Sequence, residues 1–367
     1  MADSTLYLSE FWEKHYLDEY IPEGGSKIKF ITGRPGSGKT WFLDHFRNAA
    51  EKSNYITVSL SAGSTWLHDF REVFLAIAAR CDMDGILRGC SEKIIREMGY
   101  SPEEIPSGQT FMDMLSGRGA ADPMSRREIR DLLRKFFLGN PMMDNNFALA
   151  LSLLTGSILG YPVLEPPDRS LIQAWLSGDR TLKLSQLRSV GITDKVNKYN
   201  ARHMLRSLAE AIHLAGFRGL VITIDDLEIL QDKAGSEEIR YTKLRREDTY
   251  ESIRQLIDDI DSMRFIMILY GFDRSMIDLE NTGLKSYQAL WMRIQNEIVS
   301  ARFNRFVDIA DMDRLALQVM TAEDVKAMAS AMGAGEPDDK TAQEILAKAR
   351  VSGIGLPMLV KEEVLHG

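Results

Sequence analysis

Short apolar runs alternate with longer amphipathic stretches toward both ends of the chain, which predicts alternating strands and helices. The third run, from Gly219 to Ile224, is apolar except for Thr223 and leads directly into acidic residues. Such a run is typical of a strand that is buried on both faces, as in a parallel sheet covered by helices. The pattern therefore predicts a doubly wound α/β fold with a parallel sheet of about five strands. The predicted strands are 28–32, 55–60, 219–224, 265–270 and 306–309.

The stretches between these runs carry apolar residues at helical spacing. Breakers such as Pro22, Gly24 and Gly25 end the first of them before the first strand. Near the C-terminus, Thr321 begins a segment with the pattern of a capped helix start. The predicted helices outside the middle of the chain are 9–20, 66–81, 248–263, 286–301 and 340–350.

The segment between the second and third strands has recurrent prolines and glycines and no comparable apolar run. We interpret it as a long helical insertion. Its most apolar part, 147–163, is shorter than the ~20 residues that a membrane span needs, and it ends at Gly160 and Pro162. It therefore predicts a buried helix. The predicted domains are a sheet-containing core (1–84 and 219–312), the helical insertion (85–218) and a C-terminal helical lid (313–367).

Composition excludes some classes of protein. The 367 residues are 44% hydrophobic and 27% charged, which is ordinary for a soluble globular protein. A net charge of -8 excludes a polycation that binds nucleic acid with its whole surface. Two cysteines form neither a disulfide framework nor a zinc pattern, which favours free thiols in a reducing compartment. The first residues lack the basic flank and apolar core of a signal peptide, so we expect a cytoplasmic protein with no membrane partner.

A basic cluster at helical spacing lies within the predicted insertion. Such a stripe either contacts phosphates or forms a solvated helix face, and the spacing alone favours the solvated face. Direct DNA binding through this cluster remains one of the hypotheses that the sequence allows. Its members are Arg126, Arg127, Arg130, Arg134 and Lys135.

The sequence GRPGSGKT fits a phosphate-binding loop, because a predicted strand precedes it and a helical stretch follows it. Its glycines allow backbone N–H groups to turn inward and bind an anion at a helix N-terminus. Lys39 is expected to reach the β- and γ-phosphates of ATP, and the Thr40 hydroxyl is expected to bind Mg²⁺. The candidate nucleotide-binding residues are Gly33, Arg34, Pro35, Gly36, Ser37, Gly38, Lys39, Thr40 and Trp41.

Acids at the end of the third strand are the candidate catalytic groups. In an ATPase, one carboxylate completes the magnesium shell and the next orients or deprotonates the attacking water. Asp225 suits the first role, while Asp226 is favoured over Glu228 for the second. If the strand stays extended, Asp226 and Glu228 lie on one face and Asp225 lies on the other.

A further cation normally stabilises charge on the γ-phosphate in the transition state. Arg302 and Arg305, which precede the last predicted strand, are the first candidates, and Arg293 is the second. The polar residue expected at the end of the fourth strand is not fixed by the pattern. It is one of Tyr270, Gly271 and Asp273.

Several segments resemble the BrxD-like ATP-binding proteins of bacterial BREX-type phage-defence systems, within the AAA+/STAND-like P-loop NTPases. The resemblance covers most of residues 10 to 310. It implies an AAA+-like core that binds ATP at 33–40 and magnesium at Thr40 and Asp225, with Asp226 facing the water. It also implies other proteins of the defence system as partners. The segments are EGGSKIKFITGRPGSGKTWFL, GFRGLVITIDDLE, YESIRQLIDDI, RFIMILYGF and GLKSYQALWMRI.

Two positions depart from this resemblance. Family members tend to have Asp-Glu where the chain has Asp225 and Asp226. Relatives often carry an arginine after the C-terminal proline, where the chain has Met358 after Pro357. The leading hypothesis is an ATPase that oligomerises to remodel partner proteins or load them onto DNA. The alternative is an ATP-binding assembly switch with little or no hydrolysis.

Overall fold

A parallel sheet forms one part of the molecule and a bundle of helices forms the other. The computed structural model describes residues 3–231, 239–298, 304–333 and 335–365. The chain divides into two units, which we call the sheet unit and the helical unit. The sheet unit comprises Met1–Asp69, Val221–Ser262 and Ile266–Gly367, and the helical unit comprises Phe70–Leu220 and Met263–Phe265.

The described residues contain a single sheet of five parallel strands in the order β2-β3-β4-β1-β5. The central pairing joins β1 to β4 in parallel from Ser26 opposite Ile266 to Gly33 opposite Asp273. All of the strands therefore end at one edge of the sheet, where the loops after β1, β3 and β4 meet. The strands are β1 (Ser26–Gly33), β2 (Ile56–Ser61), β3 (Leu220–Asp225), β4 (Ile266–Asp273) and β5 (Ile309–Asp311).

Helices make up most of the remaining described chain. Those that flank the sheet or follow it are α1 (Asp3–Trp12), α2 (Lys39–Lys52), α11 (Lys243–Asp259), α12 (Ser275–Asp278), α13 (Gln288–Ile298), α14 (Met312–Val319), α15 (Ala322–Ala331), α16 (Asp339–Ala349) and α17 (Leu356–Leu365). Those of the helical unit are α3 (Phe70–Ala78), α4 (Met83–Glu97), α5 (Phe111–Gly117), α6 (Pro123–Leu133), α7 (Asn145–Leu159), α8 (Pro166–Leu176), α9 (Leu184–Ser189) and α10 (Ala201–Leu214).

The core of the sheet unit explains why these segments fold as they do. Apolar residues of β1, β3 and β4 pack against α1 and α2, with Trp12, Phe42 and Phe46 fully buried. Each large side chain that leaves water in this way contributes about 1.5–3 kcal/mol. Burial on both faces matches the continuously apolar runs of the sequence, and the predicted α/β class with a five-stranded parallel sheet is confirmed.

Two elements differ from their predicted form. The first predicted helix, 9–20, is an α-helix only to Trp12 and widens into a π-helix over Glu13–Tyr20. The predicted last strand, 306–309, is wrong in its position, because β5 starts at Ile309. The carbonyls of the two residues Phe306 and Val307 accept hydrogen bonds from the Lys29 ammonium at 2.8 and 2.7 Å instead of extending the sheet.

The apolar segment of the insertion is a helix of the helical unit, α7, and nine of its residues are buried. Among the helices in the described ranges, none combines the length and the apolar character that a membrane span requires. Cys81 and Cys90 are both buried free thiols, as predicted. No strand occurs in the described chain between Phe70 and Gly219. The separate C-terminal lid remains a prediction.

Candidate nucleotide-binding site

The loop between β1 and α2 has the backbone conformation that the glycines of GRPGSGKT predict. Gly36 and Gly38 have φ values of 74° and 90°, in the left-handed region that residues with a β-carbon rarely adopt. Gly38 is the N-cap of α2, so the following N–H groups lie at the start of a helix. Backbone donors and the helix dipole thus favour an anion at this place.

Lys39 lies over this loop. Its ammonium donates hydrogen bonds to the carbonyls of Gly33 at 3.1 Å and Arg34 at 3.2 Å. It is also 3.5 Å from a carboxylate oxygen of Asp273, at the end of β4. The ammonium is therefore held at the mouth of the loop by neighbours that a phosphate group can replace, since phosphate oxygens are stronger acceptors for a cation than carbonyls.

A hydroxyl and a carboxylate meet beside the loop. The Thr40 hydroxyl donates a hydrogen bond of 2.6 Å to Asp225 Oδ2, at the end of β3. A β-carbon at Gly271 of β4 would lie 2.3 Å from the other Asp225 oxygen, so a side chain there would displace this carboxylate. Oxygen ligands of this kind suit Mg²⁺, which binds one or two protein groups together with phosphates and water. Thr40 and Asp225 therefore fit a magnesium ion.

The chain turns sharply after Asp225. Asp226 has φ 63° and ψ 31°, a left-handed conformation, and its N–H donates to Asp225 Oδ1 at 2.9 Å. The Ser61 hydroxyl, at the end of β2, donates to Asp226 Oδ2 at 2.7 Å. The exposed Asp226 carboxylate is thus oriented by the neighbouring strand.

Glu228 lies in the 3₁₀ turn Leu227–Leu230 rather than in the strand. Its carboxylate accepts a hydrogen bond of 3.0 Å from the N–H of Asp273. Burial raises the pKa of Glu228, while that N–H lowers it. The sequence-based expectation that Asp226 and Glu228 share one strand face is wrong, because the strand ends at Asp225 and the two carboxylates bond to different strands.

The C-terminal helices contact the phosphate loop through main-chain groups. The N–H of Gly355 donates to the Pro35 carbonyl at 2.9 Å, and the N–H of Met358 donates to the Gly36 carbonyl at 3.3 Å. A β-carbon on Gly36 would lie 2.4 Å from that of Met358. The segment that starts α17 therefore packs directly on the loop.

Arg34 strengthens this contact with its side chain. Its guanidinium donates to the carbonyls of Ala349, at 2.9 Å, and Ser352. It also forms an ion pair of 3.1 Å with the buried Asp313 of α14, which in turn accepts the Arg34 main-chain N–H at 2.8 Å. One residue of the loop thus joins α14 to the end of α16.

A cavity of about 340 Å³ opens beside the loop and next to Trp41, which stacks on His45 with ring centroids 4.8 Å apart. Apart from the Ser37 hydroxyl, its lining is apolar side chains and the loop backbone, as is common for sites that enclose a flat ring. The lining residues are Ser37, Gly38, Trp41, Met312, Met328, Ala331, Met332 and Pro357.

The candidate arginines lie apart from these groups or outside the described residues. Arg302 falls outside the described residues. The Arg305 guanidinium lies 4.3 Å from the centre of the Phe11 ring, in α1. Arg293 forms two hydrogen bonds with Asp258, at 3.0 and 3.1 Å. The structure does not bring these arginines to the phosphate loop within the described chain.

Sequence reasoning missed Ser61, Asp313 and the need for glycine at position 271. No local motif marks these positions, because each acts through a partner that is distant in the chain. Of the three residues left open at the end of β4, Asp273 is the one whose carboxylate contacts Lys39. Tyr270 is instead buried in the core and stacks on Phe30, with ring centroids 5.5 Å apart.

The chain matches the family model of the BREX system ATP-binding proteins BrxC/D over residues 14–349. No curated protein matches the chain. The match includes all of the strands, the phosphate loop and the acids after β3, so it spans the site described above. The chain therefore belongs to the BrxC/BrxD family of BREX system ATP-binding proteins.

Proposed function

We propose that this protein binds ATP with Mg²⁺ at the phosphate loop and hydrolyses it in the service of a BREX-type defence system. The observation that carries the proposal is the bond of 2.6 Å between the Thr40 hydroxyl and Asp225 at the mouth of a glycine-rich loop. This pair brings together two oxygen ligands from α2 and β3, next to the Lys39 ammonium. A family described as ATP-binding supports the choice of nucleotide.

Each group of residues has a distinct role in the proposed reaction. Magnesium, when bound with ATP, neutralises charge on the β- and γ-phosphates. Backbone N–H groups of 36–40 and the Lys39 ammonium bind the phosphates, while the apolar cavity beside Trp41 takes the base. Asp226 orients the attacking water and accepts its proton. Its bond with Ser61 fixes the carboxylate in the required direction.

A complete site needs a cation opposite the γ-phosphate. We propose that Arg302 or Arg305 supplies it to a neighbouring copy, so that hydrolysis depends on a homo-oligomer. The main chain before β5 is held firmly at this place, because the Trp12 indole donates to the Arg305 carbonyl at 2.9 Å. The oligomer would use ATP in the cytoplasm to remodel partner proteins of the defence system or load them onto DNA, with DNA contacted directly or through those partners.

The alternative is an ATP-binding assembly switch with little or no hydrolysis. Asp226 favours it, because this carboxylate is one methylene shorter than the usual glutamate and is already bonded to Ser61. Met358 also favours it, because a thioether cannot sense a phosphate charge as an arginine can. In a switch, the ATP-bound and ATP-free states differ in assembly, and turnover contributes nothing.

Phosphate release and molecular size together decide between the two functions. We would measure turnover with and without duplex DNA, and sizing in ADP and in a non-hydrolysable ATP analogue. Lys39→Ala should abolish ATP binding, whereas Lys52→Ala, an exposed lysine at the other end of α2, should retain it. Turnover that Asp226→Asn removes supports the ATPase. Nucleotide-dependent assembly without turnover supports the switch, and absence of ATP binding by the wild type refutes both.

A further inference from the structure

The two units of the chain carry opposite net charges. The helical unit has 21 lysines and arginines and 17 aspartates and glutamates, a net charge of +4. The sheet unit has 24 and 36, a net charge of -12, and the two values make up the -8 of the whole chain. Although the whole chain has a negative net charge, the helical unit is positively charged and attracts anions.

Helix α6 places much of this positive charge on one face. Arg126 and Arg130 are one helical turn apart, and Arg134 follows after another turn, where the helix continues as the π-helix Arg134–Leu138. All three side chains are exposed, while Ile129 and Leu133 on the adjacent face of the helix are buried. We call the three residues the arginine row.

The arginine row has no carboxylate partner in the part of the chain that the structure describes. The neighbouring charges of the same helix do have partners: Arg127 is 3.7 Å from Asp131, and Lys135 is 3.7 Å from Glu97. Arg127 and Lys135, which lie beside the row, thus have carboxylate partners, whereas the charges of the row itself are left for an external anion.

Aromatic rings hold these cations in place. The guanidinium groups of Arg126 and Arg130 lie 5.8 and 5.9 Å from the centre of the Tyr161 ring. The ammonium groups of Lys93 and Lys135 likewise lie 5.6 and 5.3 Å from the centre of the Phe136 ring. Stacking of this kind restricts the side chains before a ligand binds, which lowers the entropy that binding costs.

We infer that the arginine row, flanked by Lys93 and Lys135, binds the phosphate backbone of duplex DNA. Residues four apart on a helix are separated by about 6 Å along its axis, so the row presents three cations over about 12 Å. A single phosphate cannot bridge that length, whereas consecutive phosphates of a strand can. Tyr161 and Phe136 are half-buried and each has two of these cations near its ring, which leaves little ring surface for unpaired bases and favours a duplex over a single strand.

Contacts of this kind carry no sequence information, so binding should be independent of sequence and strongly dependent on salt. Three phosphate contacts correspond to a slope of about -2.7 in a plot of log affinity against log salt, which is about 40-fold between 50 and 200 mM. This inference does not depend on the proposed ATPase, since binding is measured without nucleotide.

The experiment is fluorescence anisotropy of the full chain with a labelled 30-base-pair duplex of arbitrary sequence over a range of salt. The test variant combines Arg126→Glu, Arg130→Glu and Arg134→Glu. The control makes the same change of charge in α8, in α9 and at the N-cap of α9, at three exposed residues of the same unit: Arg169→Glu, Arg188→Glu and Lys183→Glu. Thermal melting and ATP binding of both variants verify the fold.

The test variant should lose at least tenfold in affinity at 50 mM salt and should have a slope smaller by about 2.7, whereas the control keeps most of both. Equal loss in the two variants would mean that only the net charge of the unit matters, and it would overturn the assignment to α6. A wild type that does not bind duplex DNA overturns it as well. The assignment is also overturned if polyglutamate displaces the labelled duplex as well as unlabelled DNA does at equal charge, because the arginine row would then bind an acidic protein.

Discussion

Asp226→Asn is the substitution that separates catalysis from structure most cleanly at this site. Asp226 has a φ of 63°, which asparagine tolerates nearly as well as aspartate. The amide oxygen of asparagine can still accept the bond that Ser61 donates at 2.7 Å. The substitution therefore removes the negative charge and the proton-accepting function, while it leaves the turn after β3 intact.

The structure gives different stability costs for two replacements of this residue. Asp226→Ala loses the short polar side chain that allows aspartate to adopt the left-handed region, at a cost of up to about 1–2 kcal/mol. It also loses the Ser61 bond, at about 1 kcal/mol. We expect Asp226→Ala to lower the free energy of unfolding by about 2–3 kcal/mol and Asp226→Asn to change it by less than about 0.5 kcal/mol. Urea unfolding of the nucleotide-free protein measures both.

Turnover, unlike stability, should fall equally in the two variants. Loss of a general base slows the chemical step by about 10²–10⁴-fold, or about 3–5 kcal/mol in the barrier. Both replacements should therefore reduce single-turnover phosphate release by this factor, with ATP affinity unchanged for Asp226→Asn. Glu23→Gln, at an exposed carboxylate, controls for the change of charge.

The competing assignment is tested in the same experiment with Glu228→Gln. Glu228 already accepts the N–H of Asp273 and lies in a buried turn. If Asp226→Asn keeps wild-type turnover while Glu228→Gln loses it, the assignment of the base to Asp226 is refuted. The Ser61 bond would then serve only to stabilise the turn.

Three further substitutions test how the site is supported. Burial raises the pKa of Glu228 above its ordinary 4.5. The folded protein therefore binds the carboxyl proton more tightly than the unfolded chain does. The stability that this proton contributes is fully present below pH 4.5 and is lost as the pH rises through the raised pKa. Glu228→Gln should therefore melt at a higher temperature than the wild type at pH 7 and above, and the difference should shrink toward pH 4; a constant difference would contradict this. Arg34→Met leaves the buried Asp313 without its ion pair and should lower the free energy of unfolding by about 3–5 kcal/mol. The double variant with Asp313→Asn should regain much of this loss. Additive losses of the two substitutions in urea unfolding would contradict the pairing. Lys29→Met, at a side chain with 0% exposure, leaves the carbonyls of Phe306 and Val307 without their donor and should cost about 2–4 kcal/mol. Lys27→Met, at the partly exposed end of the same ion-pair group, should cost under about 1 kcal/mol, and equal costs would refute the role of burial.

The conformation of the glycine-rich loop between β1 and α2 could be predicted from local patterns, because the loop is a local structure. Its glycines, its lysine and the following helix lie within nine residues, and the positive φ values of Gly36 and Gly38 follow from their lack of a β-carbon. The support of the site could not be predicted in this way. Ser61 is 165 positions from Asp226, and Asp313 is 279 positions from Arg34. The tertiary fold determines which of these distant residues lie next to each other.

The position of β5 shows a second limit of pattern reading. The apolar residues Phe306 and Val307 suggested a strand, but their carbonyls accept hydrogen bonds from a side chain of β1. Lys29 in β1 is surrounded by Trp12 and Tyr16, with its ammonium 5.4 and 5.0 Å from their ring centres. A buried ammonium must bond to acceptors, since an unpaired one is far too costly. The need to satisfy this cation therefore displaces the start of the strand to Ile309.

The contact between the loop and the C-terminal helices changes what Met358 implies. An arginine at this position would carry a cation that a phosphate group could attract directly. Here the Met358 main chain bonds to the Gly36 carbonyl, and its side chain lies against the Gly36 α-carbon. Arg34 adds bonds from the loop to the end of α16. Any change in the loop backbone on nucleotide binding would therefore move groups that the C-terminal helices bond to. Coupling between nucleotide and these helices thus requires no arginine after Pro357, so Met358, although it favours the switch, does not exclude the ATPase, and turnover distinguishes the two.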